Sequence, residues 1–264
     1  MWTELLQLWL VALLFAIVLM ALVWCLAIRI GNAGIVDIAW SAGFTPVVIL
    51  FAAAGSGALP RRALMASMVS VWSVRLGAYL YVRVSAHHPL EDRRYALLRS
   101  EWGARAKQEM FGFFQLQAAL LALLSVPWLL VCLNPRSGLQ PIEWAGCLLW
   151  IIAISGEALA DRQLQRFRAD PANRGAVCQV GLWHYSRHPN YFFEWLVWVA
   201  YFVVALGSPW GWVSLYCPAL MLYFLLRVTG IPLTEQLSLH SKGVAFAEYQ
   251  RRTSAFVPWF PKRG

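Results

Sequence analysis

The segment 183–198, WHYSRHPNYFFEWLVW, sets His184, Tyr185, Ser186, Arg187, His188 and Asn190 directly against a long apolar run. Pro189 suits the first turn of a helix, where a missing N–H is not needed and a fixed φ is already helical. A helix N-terminus favours anions, and Arg187 and His188 add donors there. Asn190 and Glu194 are four residues apart and share a helix face. Other polar side chains interrupt apolar runs in the same way. Asp37 and Trp40 are three apart in GIVDIAWSAG, and Trp72, Arg75 and Tyr79 form an i, i+3, i+7 face. Glu157, Asp161 and Arg168 follow at i, i+4 and i+11, and Arg227 ends a late apolar run. Charges at membrane depth rarely face lipid; they pair with each other or line a cavity. Both arrangements fit, with Asp37–Arg75 and Glu157–Arg168 as the obvious pairs. Several ionisable groups on at least four helices favour a shared polar cavity.

The elements that must position these groups are membrane helices. The chain is 60% hydrophobic and 13% charged, with 15 Trp and 14 Phe, about half the charged fraction of soluble domains. Crossing a bilayer takes about 20 apolar residues. Seven segments fit an all-α membrane protein of seven spans: 5–28, 35–54, 63–84, 111–133, 144–159, 191–206 and 212–228. The fifth is expected to continue as a polar helix beyond the membrane. The first run is too long for a signal-peptide core and no basic residue precedes it. Trp2, Trp9, Trp128, Trp144, Trp210 and Trp212 fall near span ends, as an interfacial belt would. Trp40 and Trp72 are mid-span beside charges, where walling a pocket and packing a core are equally good readings.

Seven spans put the termini on opposite sides. With the C-terminus cytoplasmic, all of the 22 Lys and Arg lie on the cytoplasmic side except Arg61, Arg62 and Arg136 outside and Arg75 within a span. That asymmetry is the positive-inside pattern and places the N-terminus outside. The net charge of +9 is therefore assigned to the membrane rather than to nucleic acid. Loops 85–110 and 161–189 and the tail 230–264 mix aromatic, amide and acidic residues with arginine. That composition suits a ligand-binding surface, and a basic fringe on anionic lipid is the alternative.

Common soluble chemistries lack their motifs. Gly55-Ser56-Gly57-Ala58-Leu59-Pro60 lies in an external loop with no strand, so it fails the context of a dinucleotide fingerprint. No P-loop lysine, GxSxG or HExxH occurs. The five cysteines show no CxxC spacing, and His87, His88, Glu91 and Asp92 follow no established metal spacing, so no metal is expected. A cytoplasm-facing cavity remains, ringed by Arg168, Arg174, Arg187, Arg227, Arg251 and Arg252. Such a ring suits a phosphate-rich cofactor, because guanidinium groups bind phosphate bidentately.

HYSRHPNYFFEW, the tail IPLTEQLSLHSKGVAFAEYQRRTSAFVPWFP and the early IVDIAWSAGF together resemble the steroid 5α-reductase family, in its bacterial branch, over roughly residues 30–264. The resemblance implies NADPH and reduction of an enone carbon–carbon double bond in a small apolar substrate entering from the bilayer, such as a 3-oxo-Δ4 steroid. Carried over by motif, the implied cofactor contacts are Glu157, Asp161, Arg168, Tyr185, Arg187, His188, Asn190, Glu194, Arg227, Glu235 and Tyr249. The family's Gln-Glu pair is missing. Asp37 is the closest acid, and Trp72 takes the place of a tyrosine three residues before Arg75. The implied catalytic set is therefore Asp37, Trp40, Trp72 and Arg75. To act as an acid Asp37 must carry its proton, a state that burial favours.

Membrane methyltransferases using S-adenosylmethionine carry similar RHPNY segments and form the second reading. They tend to show two consecutive glutamates early in the C-terminal helix, where this chain has one, Glu235. A transporter or sterol sensor is the third, disfavoured by the absence of inverted repeats. A monomer in contact with membrane lipids, in a bacterial inner membrane, is the expectation.

Overall fold

A computed structural model describes residues 2–228 and 230–262, with only the backbone of His87. Nearly all of it is helix. Among the described residues the one extended pairing is an isolated bridge between Ser186 and Ser254. Six helical runs are long and apolar enough to cross a membrane: Trp2–Ile30, Ile35–Ala54, Leu59–Ala86, Arg93–Cys132, Pro141–Ala169 and Gly211–Arg252. The segment expected at 191–206 is a helix of 17 residues, Pro189–Ala205. At 1.5 Å per residue it measures about 25 Å, short of the roughly 30 Å hydrocarbon core.

The chain divides into two compact units, Met1–Leu139 and Gln140–Gly264. In the first, helix α1 (Trp2–Ile30) packs on α2 (Ile35–Ala54) and on α5 (Ala106–Leu124), and α2 packs on α3 (Leu59–His87). The loop between α2 and α3 needs its glycines. A side chain at Gly57 would collide with the Cys132 carbonyl, which accepts from the Gly57 N–H at 2.9 Å. The expected single span at 111–133 is broken. The Ser125 hydroxyl bonds back to the Ala122 carbonyl at 2.8 Å, and Pro127 then starts a short helix, α6 (Val126–Cys132). Pro127 has no N–H to continue the ladder. The polar loop 85–110 contains a further helix, α4 (Arg93–Trp102), whose N-cap Asp92 accepts from the Arg94 N–H at 3.0 Å.

One tryptophan assigned to the interfacial belt belongs elsewhere. Trp128 is fully buried, near-perpendicular to Phe44 and at 61° to Trp72. Trp72 is also fully buried, so core packing is its observed role, while Trp40 sits edge-on to Phe44 at the cluster's rim. Trp2, Trp144, Trp210 and Trp212 are exposed, as belt residues would be.

In the second unit, α7 (Pro141–Ala169) opens with a reciprocal cap between Gln140 and Glu143 and runs on past the apolar part, as expected for the fifth span. It packs against α9 (Pro189–Ala205). Gly156 makes room there for the Phe193 ring, and Gly146 for Val204, the small-residue route to close helix packing. The turn α8 (Leu182–Tyr185) precedes α9. A 3-10 turn, Gly211–Leu215, leads into α10 (Tyr216–Tyr223), then a π-helical turn, Phe224–Val228, and α11 (Ile231–Arg252). Pro232 sits in the first turn of α11, and Gly243, at φ 53°, kinks it. The tail beyond Arg252 folds back on residues 185–187.

Candidate functional site

The polar groups form a separate cluster in each unit. In the second, the cluster begins at the start of α9. The Ser186 hydroxyl accepts from the His188 N–H at 3.1 Å, which turns the chain into the helix at Pro189. The same hydroxyl donates to the Phe256 carbonyl at 2.8 Å. Arg187 Nε donates to Glu235 Oε1 at 2.6 Å, and its Nη1 donates to the Gln250 and Thr253 carbonyls at 2.9 and 2.5 Å. Glu235 Oε1 also lies 3.2 Å from His188 Nε2, and its Oε2 accepts from Gln250 Nε2 at 2.8 Å. The His188 ring stacks on Tyr191 at 5.3 Å. The Tyr249 hydroxyl donates to the carbonyls of Trp183 and Ser186. Arg187, His188, Glu235 and Tyr249 thus tie the start of α9 to α11 and the tail. Ser186, and Gln250, which the sequence did not single out, complete the tie.

A second set climbs the α7–α9 pair. Glu157 and Asp161 are buried on α7, and Asn190 Nδ2 on α9 donates to Asp161 Oδ1 at 3.3 Å. One turn further along α9, Glu194 Oε1 accepts from the indole N–H of Trp198 at 2.9 Å. Tyr201 lies within electrostatic reach of both Glu157 and Glu194. Three carboxylates and an amide are therefore carried by two apolar helices, Glu157 and Asp161 buried and Asn190 and Glu194 half-buried, and charge at such depth is costly and marks a functional site.

Toward the polar end of α7, Arg168 is exposed and close enough to Lys242 of α11 to repel it. Neither has a carboxylate partner among the described residues, so of the two arrangements open in the sequence the Glu157–Arg168 ion pair is not the one formed. Two adjacent unmatched cations favour an anion. Cys178 is buried beside both; burial pushes its thiol up while Lys242 and Arg168 pull the other way. Arg227 is exposed in the π-helical turn, and Tyr185 is exposed with its ring edge-on to Phe260.

In the first unit Asp37 is the hub. Its Oδ1 accepts from the Tyr95 hydroxyl at 2.6 Å and its Oδ2 from Arg94 Nη2 at 2.8 Å, with Arg83 Nη2 at 3.6 Å. Asp37 pairs with Arg83 and Arg94 and not with Arg75, which lies half-buried on α3. Asp92 joins through the same two arginines. Burial opposes its charge, but hydrogen bonds and attraction from Arg94, with Arg83, prevail and hold its carboxyl below the usual aspartate range. Glu91 pairs with Arg99 at 2.9 Å and accepts from the Ala33 N–H at 2.7 Å, clamping the turn ahead of α2. Glu91 and Asp92 are thus engaged by arginines; the His87 side chain lies outside the described residues. Arg83, Arg94 and Tyr95 escaped the sequence reading, although Asp92 before an apolar-periodic helix is a readable N-cap signal.

Fold and clusters define a multi-pass helical membrane protein with buried polar groups in each unit. The chain belongs to the family described as a protein of unknown function, DUF1295, which matches residues 23–253. It is similar to an uncharacterized protein of Schizosaccharomyces pombe, 25% identical across 94% of this chain and 79% of that one. No solved structure matches.

Proposed function

We propose that this protein is an NADPH-dependent membrane reductase of the carbon–carbon double bond of a lipid-like enone, with a 3-oxo-Δ4 steroid as the model substrate. The observation that supports it is the presence, within the second unit, of both the α7–α9 set, buried Glu157 and Asp161 with half-buried Asn190 and Glu194, and the unmatched cations Arg168 and Lys242. A dinucleotide carries amide donors at one end and phosphate acceptors along its length, and these residues offer the matching acceptors and cations. When bound, NADPH supplies a hydride. Asp161 and Glu194 would accept from the carboxamide, Asn190 would donate to its carbonyl, and Arg168 and Lys242 would hold phosphate. Arg187, His188, Glu235 and Tyr249 act behind them by fixing α11 and the tail against the start of α9.

Asp37, Trp40 and Arg75 are carried forward as the catalytic candidates, with Tyr95 added because its hydroxyl donates to Asp37; Trp72, fully buried in the core, is not. Both oxygens of Asp37 are committed to protein donors, so its role in protonation rests on the hydrogen-bonded pair rather than on a free acid. The finer topology belongs to the same reading: α9 is a seventh crossing, the N-terminus is outside and the C-terminus cytoplasmic in a bacterial inner membrane, and the protein works as a monomer.

The test is thermal stabilisation of the detergent-purified protein by NADPH, NADH and S-adenosylmethionine. A ligand that binds only the folded state stabilises it by mass action. Stabilisation by NADPH with consumption of NADPH in the presence of an enone is the expected result. Stabilisation by S-adenosylmethionine alone would replace the reductase reading with a methyltransferase.

A further inference from the structure

The tail after α11 builds a feature that the reductase reading leaves unused. Residues 253–262 fold back through four bonds, three to residues 185–187 ahead of α9 and one to the end of α11. Arg187 N–H donates to Ser254, the Ser186 hydroxyl to Phe256, Trp259 N–H to Tyr185, and Lys262 N–H to Arg252, the last at 2.9 Å. The fold-back encloses a cleft of about 390 Å³ whose lining includes Arg251, Arg252, Lys262, Val257, Trp259 and Phe260. Its aromatics point outward: Trp259 is 70% and Phe260 76% exposed. Its charge is one-sided. Arg251 has only a loose, exposed contact with Glu248 at 3.6 Å, and Arg252 and Lys262 have no acidic partner among the described residues.

The level of this cleft along the molecule follows from α7. The indole N–H of Trp183 donates to the Ala160 carbonyl, and the Leu182 N–H to Gln163 Oε1, both at 2.9 Å. There α7 changes from the apolar 144–159 to the polar sequence DRQLQRFRAD. The turn Leu182–Tyr185, and Trp259 bonded to it, therefore lie where a membrane-crossing helix leaves the apolar core. Phe256 packs against Phe192 and Trp195 on the first turns of α9, just below. Tryptophan and basic side chains at this level are how proteins engage the headgroup layer, the ring among the acyl carbonyls and the cation on phosphate.

We propose that this cleft is a binding site for the headgroup of an anionic phospholipid. Arg252 and Lys262 take the phosphate, Arg251 stands at the rim, and Trp259 and Phe260 enter the interface beside the acyl chains. The site rests on the tail and on α7 as a membrane helix, and is independent of the proposed reductase activity.

Native mass spectrometry of the full-length protein, released from mixed micelles of phosphatidylglycerol and phosphatidylcholine, tests it. The wild type should retain phosphatidylglycerol in preference. Arg252→Ala with Lys262→Ala should lower that preference at least fivefold, and Arg252→Lys with Lys262→Arg should restore it. Melting in phosphatidylcholine alone checks that each variant is folded, and the exposed Trp259→Ala gives a second, charge-neutral test that should also weaken retention. An unchanged preference in the folded double alanine variant would overturn the proposal. So would displacement of the lipid by millimolar inorganic phosphate or by NADPH, which would assign the cleft to soluble phosphate or to the nucleotide.

Discussion

Arg187 Nε and Glu235 Oε1 meet at 2.6 Å, joining the start of α9 to α11, with side-chain exposures of 10% and 15%. The pair is nearly dry, and each partner carries further bonds. Removing one charge from such a pair is costly because the other is left without compensation. Glu235→Gln should therefore destabilise the protein by about 2–4 kcal/mol, seen as a lower melting temperature in detergent. Because His188 and Gln250 share the carboxylate, the tail should loosen first, and proteolysis beyond Arg252 should become faster. A melting temperature and a cleavage rate equal to wild type would show that the pair does not hold the tail.

Much of this architecture was readable because lipid imposes long apolar runs on the sequence. The start of α9 at Pro189 was equally legible, since proline ahead of an apolar run is favoured in a helix's first turn. The break at Ser125 was hidden, because the run 111–133 stays apolar on both sides of the kink. Helix α4 was hidden for the opposite reason: its polar composition reads as loop, and only the cap at Asp92 marks it. The cofactor candidates Asp161, Asn190 and Glu194 came from the motif resemblance, and Asp161 and Glu194 were marked besides by the cost of charge in an apolar helix. The partners of Asp37 were not, because Arg83 ends the third apolar run and Arg94 and Tyr95 lie in a polar loop whose contacts to α2 no spacing reveals. Arg187 and Tyr249 were carried over as cofactor contacts, and the structure ties their donors to backbone carbonyls and, for Arg187, to Glu235. A motif marks a residue without saying whether it touches a ligand or holds the residue that does.

Asp37→Asn and Tyr95→Phe separate chemistry from folding in the first unit. Tyr95→Phe removes a buried hydroxyl and its 2.6 Å bond, a loss of about 1–2 kcal/mol, and should lower melting modestly. Asp37→Asn should abolish NADPH consumption with an enone while leaving stabilisation by NADPH nearly intact. Normal turnover by Asp37→Asn would remove the residue from the catalytic set, leaving its ion pairs with Arg83 and Arg94 as its whole role.

Asp92 gives a pH-dependent signature. Its carboxyl titrates below the usual aspartate range in the folded state, so its contribution to stability is complete above the unfolded pKa and fades as pH falls through the folded one. The melting difference between wild type and Asp92→Asn should be constant from neutral pH down to about pH 5 and shrink below about pH 4. A difference that widened on acidification would mean that Arg94 and Arg83 do not favour the charged form.

Arg168 and Lys242 carry the prediction most specific to a phosphate-bearing ligand. They repel each other and have no carboxylate between them among the described residues, so each should be easier to remove for stability than for binding. Arg168→Ala should leave melting within about 0.5 kcal/mol of wild type, as for an exposed substitution. It should weaken NADPH by about tenfold, or about 1.4 kcal/mol, and Lys242→Ala should do the same. Binding by wild type should fall as salt rises, because exposed charges are screened, and the dependence should be flatter in either variant. Asn190→Ala, by contrast, should weaken NADPH without changing the salt dependence, since an amide carries no charge to screen. Equal salt dependence in wild type and both cation variants would remove Arg168 and Lys242 from the phosphate site and leave the buried α7–α9 groups without a charged end.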